Sequence, residues 1–236
     1  MPEAIVITPV KDSLQTTLQT ISSVAAAEGN FEYIVFNDFS TTETTFALEK
    51  ERIEKKFQLI NLSDITNTPS PNYKLVLQLA QQIALEKCCP LIIIESDVVI
   101  KKETIVRLIE ISKMFPSVGL AGAITVDKNK NYNFPYTFEK IKSNEIISTN
   151  HSLSFCCTLL SENFLQEFDF KTLSEHKDWF DVYISRQSKK LGFDNYLAKE
   201  LEVLHQPHSS RPWKNLKYKN PFLYYAKKLF KNRDRI

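Results

Sequence analysis

Leu91 to Ile100 reads LIIIESDVVI, and the rest of the chain takes its place from the change of character in the middle of that stretch. Four apolar residues, three of them β-branched, follow Pro90, the pattern of a strand buried on both faces. The run then breaks into Glu95, Ser96 and Asp97. Two carboxylates at positions i and i+2 at the carboxyl end of a buried strand need a partner, because burying unpaired charge is costly. Hard divalent ions such as Mg²⁺ or Mn²⁺ take oxygen ligands, commonly one or two carboxylates completed by water and substrate phosphates. Read alone, the stretch leaves a plainer alternative open, in which the two acids only open a loop and cap the next helix.

Working outward, the N-terminal side alternates strand and helix patterns. Ala4 to Val10 (AIVITPV) is a short β-branched strand with Pro9 at its exit. Asp12 or Ser13 is placed to cap a helix over LQTTLQTISSVAAA, which Gly29 stops. Tyr33 to Phe36 forms a second strand running into NDFSTTET, so Asp38 lies at another strand's carboxyl end. A helix from Glu43 to Lys55, a strand in FQLINL, a turn in TPSPNY and an amphipathic helix in KLVLQLAQQIALEK lead back to Leu91. On the far side come a helix from Lys102 to Phe115 and a small-residue strand from Val118 to Ile124. Asp127 to Asn150 lacks periodicity and is expected as a mobile insertion near an acceptor. Strand SLSFCCTLL and a helix capped by Ser161 follow. Then SEHKDWFDVYISRQSKKLGF carries a helix with Asp178 and Asp181 near its start and Gly192 at its end, and a last strand, Leu201 to Leu204, delivers His205. Such alternation implies βαβ units and a mostly parallel sheet with helices on both faces. Ligands in these sheets bind outside the carboxyl ends of the strands, the edge on which Asp38, Glu95 and Asp97 converge.

The chain has 236 residues, 43% hydrophobic and 25% charged, enough for one large domain with a full core. No run approaches the roughly 18 apolar residues of a spanning helix, and the N-terminus enters a strand without a signal-like core. A cytoplasmic protein is expected. The four cysteines form two adjacent pairs, Cys88 with Cys89 and Cys156 with Cys157, and are read as buried reduced thiols, since neither pair has the spacing of a zinc or redox site. From Arg211 onward nine Lys and Arg face one acid, a charge of +8; with +2 overall, the preceding body carries −6. A basic tail interleaved with Trp213, Tyr218, Phe222, Tyr224, Tyr225 and Phe230 suits an anionic membrane interface or packs back on the body as a solvated helix. The acidic body opposes a phosphate backbone, which argues against nucleic acid as partner.

Five motifs in this order resemble the family 2 glycosyltransferases, which have the GT-A fold. TPVKDSL is similar to that family's opening strand and loop, FNDFST to its VDDGST, and ESD stands where the family has DXD. SEHKDWFDVYISRQSKKLGF resembles its acidic helix ending in Arg and Gly, and LEVLH its closing strand and histidine. The resemblance covers about residues 4 to 208. Asn37, Phe39 and Glu95 depart from the pattern, replacing an acid, a glycine and an aspartate.

The resemblance implies an α/β architecture with a single GT-A type domain, a mostly parallel Rossmann-like sheet flanked by helices, over residues 1–210; the charge pattern adds a basic, aromatic helical tail over 211–236. It implies an inverting transfer of a sugar from a nucleotide-diphosphate donor to a hydroxyl of a glycan or lipid-linked acceptor in surface polysaccharide synthesis. Asp38 is then expected against the base or ribose, with Thr8, Pro9 and Ser96 in the same nucleotide site. Asp97 and Glu95 are expected to hold a divalent metal, Mn²⁺ or Mg²⁺, with His205 as a further ligand. Asp181, or failing it Asp178, is expected to take the proton from the acceptor hydroxyl, and apolar neighbours Phe180 and Val182 favour Asp181 by raising its pKa. The departures at Asn37, Phe39 and Glu95 motivate one alternative, a degenerate member that binds sugar nucleotide or a partner without turnover. A sugar nucleotidyltransferase is a second, for which TPVKDSLQ lacks the phosphate loop.

Overall fold

A computed structural model describes residues 1–136, 139, 143–174 and 179–206. In chain order its elements are β1 (Ala4–Val10), α1 (Leu14–Ala25), β2 (Phe31–Asn37), α2 (Thr42–Lys55), β3 (Gln58–Asn61), α3 (Tyr73–Glu86), β4 (Leu91–Ile94), β5 (Val98–Val99) and α4 (Thr104–Met114). They continue with β6 (Val118–Val126), β7 (Ile146–Ser148), β8 (Cys157–Leu160), α5 (Glu162–Glu167), α6 (Phe180–Lys190) and β9 (Asp194–His205). The described strands make one sheet in the order β3-β2-β1-β4-β8-β6-β9-β5, with β7 also on β9.

The first half is the expected parallel unit, with β1 pairing parallel to both β2 and β4. Alternation along each strand explains why Leu91 to Ile94 are apolar without a break. Ile5, Ile7, Leu91 and Ile93 face one core beneath α3, α5 and α6. Ala4, Val6, Ile92 and Ile94 face a second core with Ile21 of α1, Leu48 of α2 and Leu108 of α4. All four β4 residues are fully buried, each burial contributing about 1.5–3 kcal/mol.

The second half differs from a simple parallel continuation. β8 runs antiparallel between β4 and β6, so its first residue, Cys157, pairs with Ile94 at the end of β4. β9 starts seven residues earlier than the expected strand at Leu201, a difference hidden by charge in its middle. A bulge lets the partner of β6 jump from Ala198 to Glu202. Lys199, 8% exposed, pairs with Glu139 at 2.6 Å, and Glu200 pairs with Arg107 at 2.6 Å. Those ion pairs explain how three polar-rich residues sit inside a strand.

Two further expectations are corrected. The 127–150 segment is built into the fold where described: Ile146–Ser148 pairs with β9, Tyr132 bridges Val126, and Tyr136 is 1% exposed. Backbone pairing holds it, so no periodicity is needed. At α1, neither Asp12 nor Ser13 caps by its side chain. Both adopt left-handed backbone, and Asp12 instead accepts from the Thr41 amide at 2.7 Å, tying the β1–α1 loop to the β2–α2 loop. That bond, together with Lys11, outweighs the desolvation of Asp12 and lowers its pKa. Ser161 caps α5 as expected, accepting from the Phe164 amide. Among the cysteines, Cys88 is exposed and the other three are buried. Asp178 and the basic tail lie outside the described residues.

Candidate functional site

The carboxyl ends of β1, β2, β4, β6 and β9 share one edge of the sheet, and the chain after β4 crosses it. Glu95 continues the β8 ladder, its amide donating to the Cys156 carbonyl at 3.0 Å. A tight turn, closed by the Val98 amide on the Glu95 carbonyl, then throws Val98 and Val99 across to pair antiparallel with His205 and Leu204. The Gln206 amide donates to the Asp97 carbonyl at 2.7 Å. Residues 95–97 and the end of β9, distant in sequence, are thus bolted together by backbone.

His205 Nε2 lies 3.4 Å from Asp97 Oδ2, and both side chains are 3% exposed. The other ring nitrogen, Nδ1, is 2.7 Å from the Phe134 carbonyl. A carbonyl can only accept, so Nδ1 carries the proton and Nε2 is left to face the acids. Burial disfavours the imidazolium, yet the Asp97 hydrogen bond and charge, the Glu95 charge and the Phe134 carbonyl together raise the His205 pKa. Asn133 adds a bond to the His205 carbonyl at 3.1 Å. Glu95, partly exposed, Cys156 and His205 bring one ligand atom each within 4.8 Å of one another. A carboxylate, a thiol and an imidazole so placed form a donor set that can hold a divalent ion.

Asp38, 8% exposed, sits at the end of β2 with its amide on the Val10 carbonyl. Its carboxylate is a clamp: Ser70 Oγ donates to Oδ2 at 2.7 Å, the Asn72 amide to Oδ2 at 2.9 Å, and Asn72 Nδ2 to Oδ1 at 2.8 Å. A carboxylate offers about four acceptor sites, so a further donor can still be received. Asn37 is built in by its amide, donating to Thr45 and Asn61 and accepting from Ser40; a carboxylate there would lose both donations. Phe39 adopts φ +55, a left-handed conformation that costs a side chain roughly 1–2 kcal/mol. Lys11 donates to its carbonyl. Pro9 is partly exposed, whereas Thr8 is fully buried and accepts from Tyr33 at 2.9 Å. β-strand alternation turns Thr8 to the same core face as Val6 and Val10, where Tyr33 also packs. Ser96 is 7% exposed within the turn.

Asp181 lies in the first turn of α6, half-buried, with Oδ1 accepting from the Val182 amide at 2.9 Å. The far end of the helix is fixed by Ser188 and Ser185, which bond Asn195 at the start of β9. The helix therefore runs antiparallel to β9, and its N-terminus points toward the ligand edge. Tyr136, whose hydroxyl accepts from the Ser154 amide at 3.0 Å, lies near both Asp181 and Cys156. Burial first, and then the nearby Cys156 and Asp181, raise the Tyr136 pKa.

The edge thus joins Glu95, Asp97 and His205, has Asp38 at the end of β2, and carries Asp181 on a neighbouring helix. Sequence reasoning missed Cys156, the Phe134 carbonyl and the Ser70–Asn72 clamp. Only the antiparallel placement of β8 beside β4 brings Cys156 to Glu95, and no local motif announces that.

No protein-family model matches the sequence, and no curated protein matches it. Solved structures do. A mannosyltransferase from Pyrobaculum calidifontis, in complex with GDP-Man and Mn²⁺, superposes with a TM-score of 0.67 at 12% identity, over 97% of this chain and 64% of that one. GalNAc-T7 with UDP, GalNAc and Mn²⁺ gives 0.62 at 12% identity over 89% and 45%. S. aureus TarS 1-349 gives 0.63 at 16% identity over 87% and 60%. The chain spans less than two thirds of the length of each. At these identities the likeness establishes architecture, and the architecture of this chain is the GT-A type fold of the nucleotide-sugar glycosyltransferases.

Proposed function

We propose that the chain is a divalent-metal-dependent, inverting glycosyltransferase acting from a nucleotide-diphosphate sugar donor on a hydroxyl of a glycan or lipid-linked acceptor, in surface polysaccharide synthesis. The observation that carries this reading is the convergence of Glu95, Asp97 and His205 at the carboxyl edge of a GT-A type sheet. Glu95, Asp97 and His205 hold the cation, Mn²⁺ or Mg²⁺ in this reading. When bound, it neutralises charge developing on the departing phosphate oxygen as a Lewis acid. Asp38, kept in place by Ser70 and Asn72, receives a donor from the base or ribose. Pro9 and Ser96 complete the nucleotide site in this reading, with Thr8 contributing through its bond from Tyr33.

Asp181 takes the proton of the acceptor hydroxyl as its oxygen attacks the anomeric carbon and the bond to phosphate breaks. Its position on the N-terminus of α6 supports that role; Asp178 is the other candidate. The cationic, aromatic segment over 211–236 supports peripheral contact with anionic lipid, where a lipid-linked acceptor resides. The domain proper then covers 1–210. Calorimetric titration with UDP, GDP and dTDP in Mn²⁺ tests the proposal. Binding of one of them that is lost in Asp97→Ala is expected; a folded protein that binds none overturns it.

A further inference from the structure

We infer that Cys156 joins Glu95, Asp97 and His205 as a metal ligand at this site, so that the site binds a borderline-soft ion of the Zn²⁺ or Co²⁺ kind more tightly than Mn²⁺ or Mg²⁺. The inference rests on the reading that a divalent cation occupies this edge. The spacing of the side chains carries it. Standard bonds to zinc, roughly 2.3 Å to sulfur and 2.0–2.2 Å to nitrogen or oxygen, put tetrahedral neighbours about 3.6 Å apart for sulfur and oxygen and about 3.4 Å apart for nitrogen and oxygen. Cys156 Sγ lies 3.6 Å from Glu95 Oε2, and His205 Nε2 lies 3.4 Å from Asp97 Oδ2. Glu95, Cys156 and His205 are mutually within 4.8 Å.

The surroundings suit ligation. Ser154 Oγ lies 3.3 Å from the sulfur, placed to donate to it, an outer hydrogen bond of the kind that stabilises a coordinated thiolate. The Phe134 carbonyl fixes His205 with Nε2 inward. Cys156 is 2% exposed, so the sulfur is shielded from bulk solvent. Thiolate and imidazole favour zinc-like ions, whereas Mg²⁺ and Mn²⁺ favour oxygen. On binding, the Cys156 S–H bond breaks, a sulfur–metal bond forms and the proton leaves to solvent. With these four protein donors bound, a substrate oxygen would enter by expansion to five-coordinate, as catalytic zinc sites allow.

The test is cobalt spectroscopy at one equivalent of Co²⁺, without nucleotide, in a Cys88→Ser background that removes the exposed thiol. A near-ultraviolet sulfur-to-cobalt charge-transfer band is expected, lost in Cys156→Ser, with Zn²⁺ affinity falling by more than about tenfold. His205→Gln should weaken binding but keep the band. Cobalt bound without the band, a band that survives Cys156→Ser, or no cobalt bound overturns the inference. X-ray absorption at the zinc edge of the Cys88→Ser protein decides independently of whether Cys156→Ser folds, since a sulfur neighbour at about 2.3 Å is required. Parallel nucleoside-diphosphate titrations in Mn²⁺ separate the two readings. Nucleotide binding without sulfur contact leaves the donor site standing and rejects Cys156; sulfur contact without nucleotide binding does the reverse.

Discussion

Replacing Asn72 by alanine tests how Asp38 is held. The substitution removes the Nδ2 donor to Asp38 Oδ1 at 2.8 Å and to the Thr68 carbonyl at 2.9 Å, while Ser70 and the Asn72 backbone amide still reach Oδ2. A hydrogen bond to a charged group contributes about 1.5–3 kcal/mol and one to a neutral carbonyl about 1 kcal/mol. With Asp38 only 8% exposed, little water can substitute. The loss should be about 3 kcal/mol, which at a slope of about 3 kcal/mol per molar urea moves the unfolding midpoint down by about 1 M. In an Asp38→Ala background the same change should cost only about 1 kcal/mol, so the cycle should show coupling of about 2 kcal/mol. Additive effects, or a midpoint shift under about 0.2 M, would refute the clamp. Because the 68–73 loop borders Asp38, nucleotide affinity should fall alongside stability.

Gly119→Ala should destabilise by about 3 kcal/mol through overpacking, because the added Cβ would lie 2.0 Å from Ser188 Oγ and 2.8 Å from Phe193 Cβ; Gly192→Ala, with open space but φ +88, should cost about 1–2 kcal/mol, both read by urea unfolding. In metal-free protein the His205–Asp97 pair should stabilise below the unfolded histidine value of about 6.5 and lose that contribution as pH rises through the raised folded value. Thermal melts should therefore show the gap between wild type and Asp97→Asn narrowing from pH 6 to 8, and a widening gap would contradict the pairing. Native thiol titration should find one fast cysteine, the exposed Cys88, since burial pushes Cys89 up to about 11 and Cys157 up to about 12. Lys199→Met should cost about 3–5 kcal/mol by stranding Glu139, and adding Glu139→Leu should recover most of it; no recovery would mean the bulge, not the ion pair, sets the cost.

The parallel half of the fold was readable because each β-branched run there is covered on both faces, so LIIIESDVVI and AIVITPV show their burial directly in composition. His205 was readable only as the end of a strand. Its partnership with Asp97 depends on β5, two residues long, which no periodicity can reveal. β9 was read short because Lys199 and Glu200 look like loop, and their ion pairs are visible only in three dimensions. Cys156 was read as an inert buried thiol, which is what an apolar neighbourhood implies when the register of β8 against β4 is unknown. Asn37 looked like a lost acid, yet its amide donates to Thr45 and Asn61, a network an acid could not make. Phe39 looked like a lost glycine, and it does occupy the left-handed backbone that glycine favours.

A crystal structure grown with a nucleoside diphosphate and Mn²⁺ tests the account most directly. An anomalous manganese peak is expected beside Glu95, Asp97, His205 and Cys156, with diphosphate oxygens in the same coordination sphere and the base or ribose against Asp38. Manganese and nucleotide bound away from this edge, or nucleotide there with no contact between its phosphates and the metal, would contradict it.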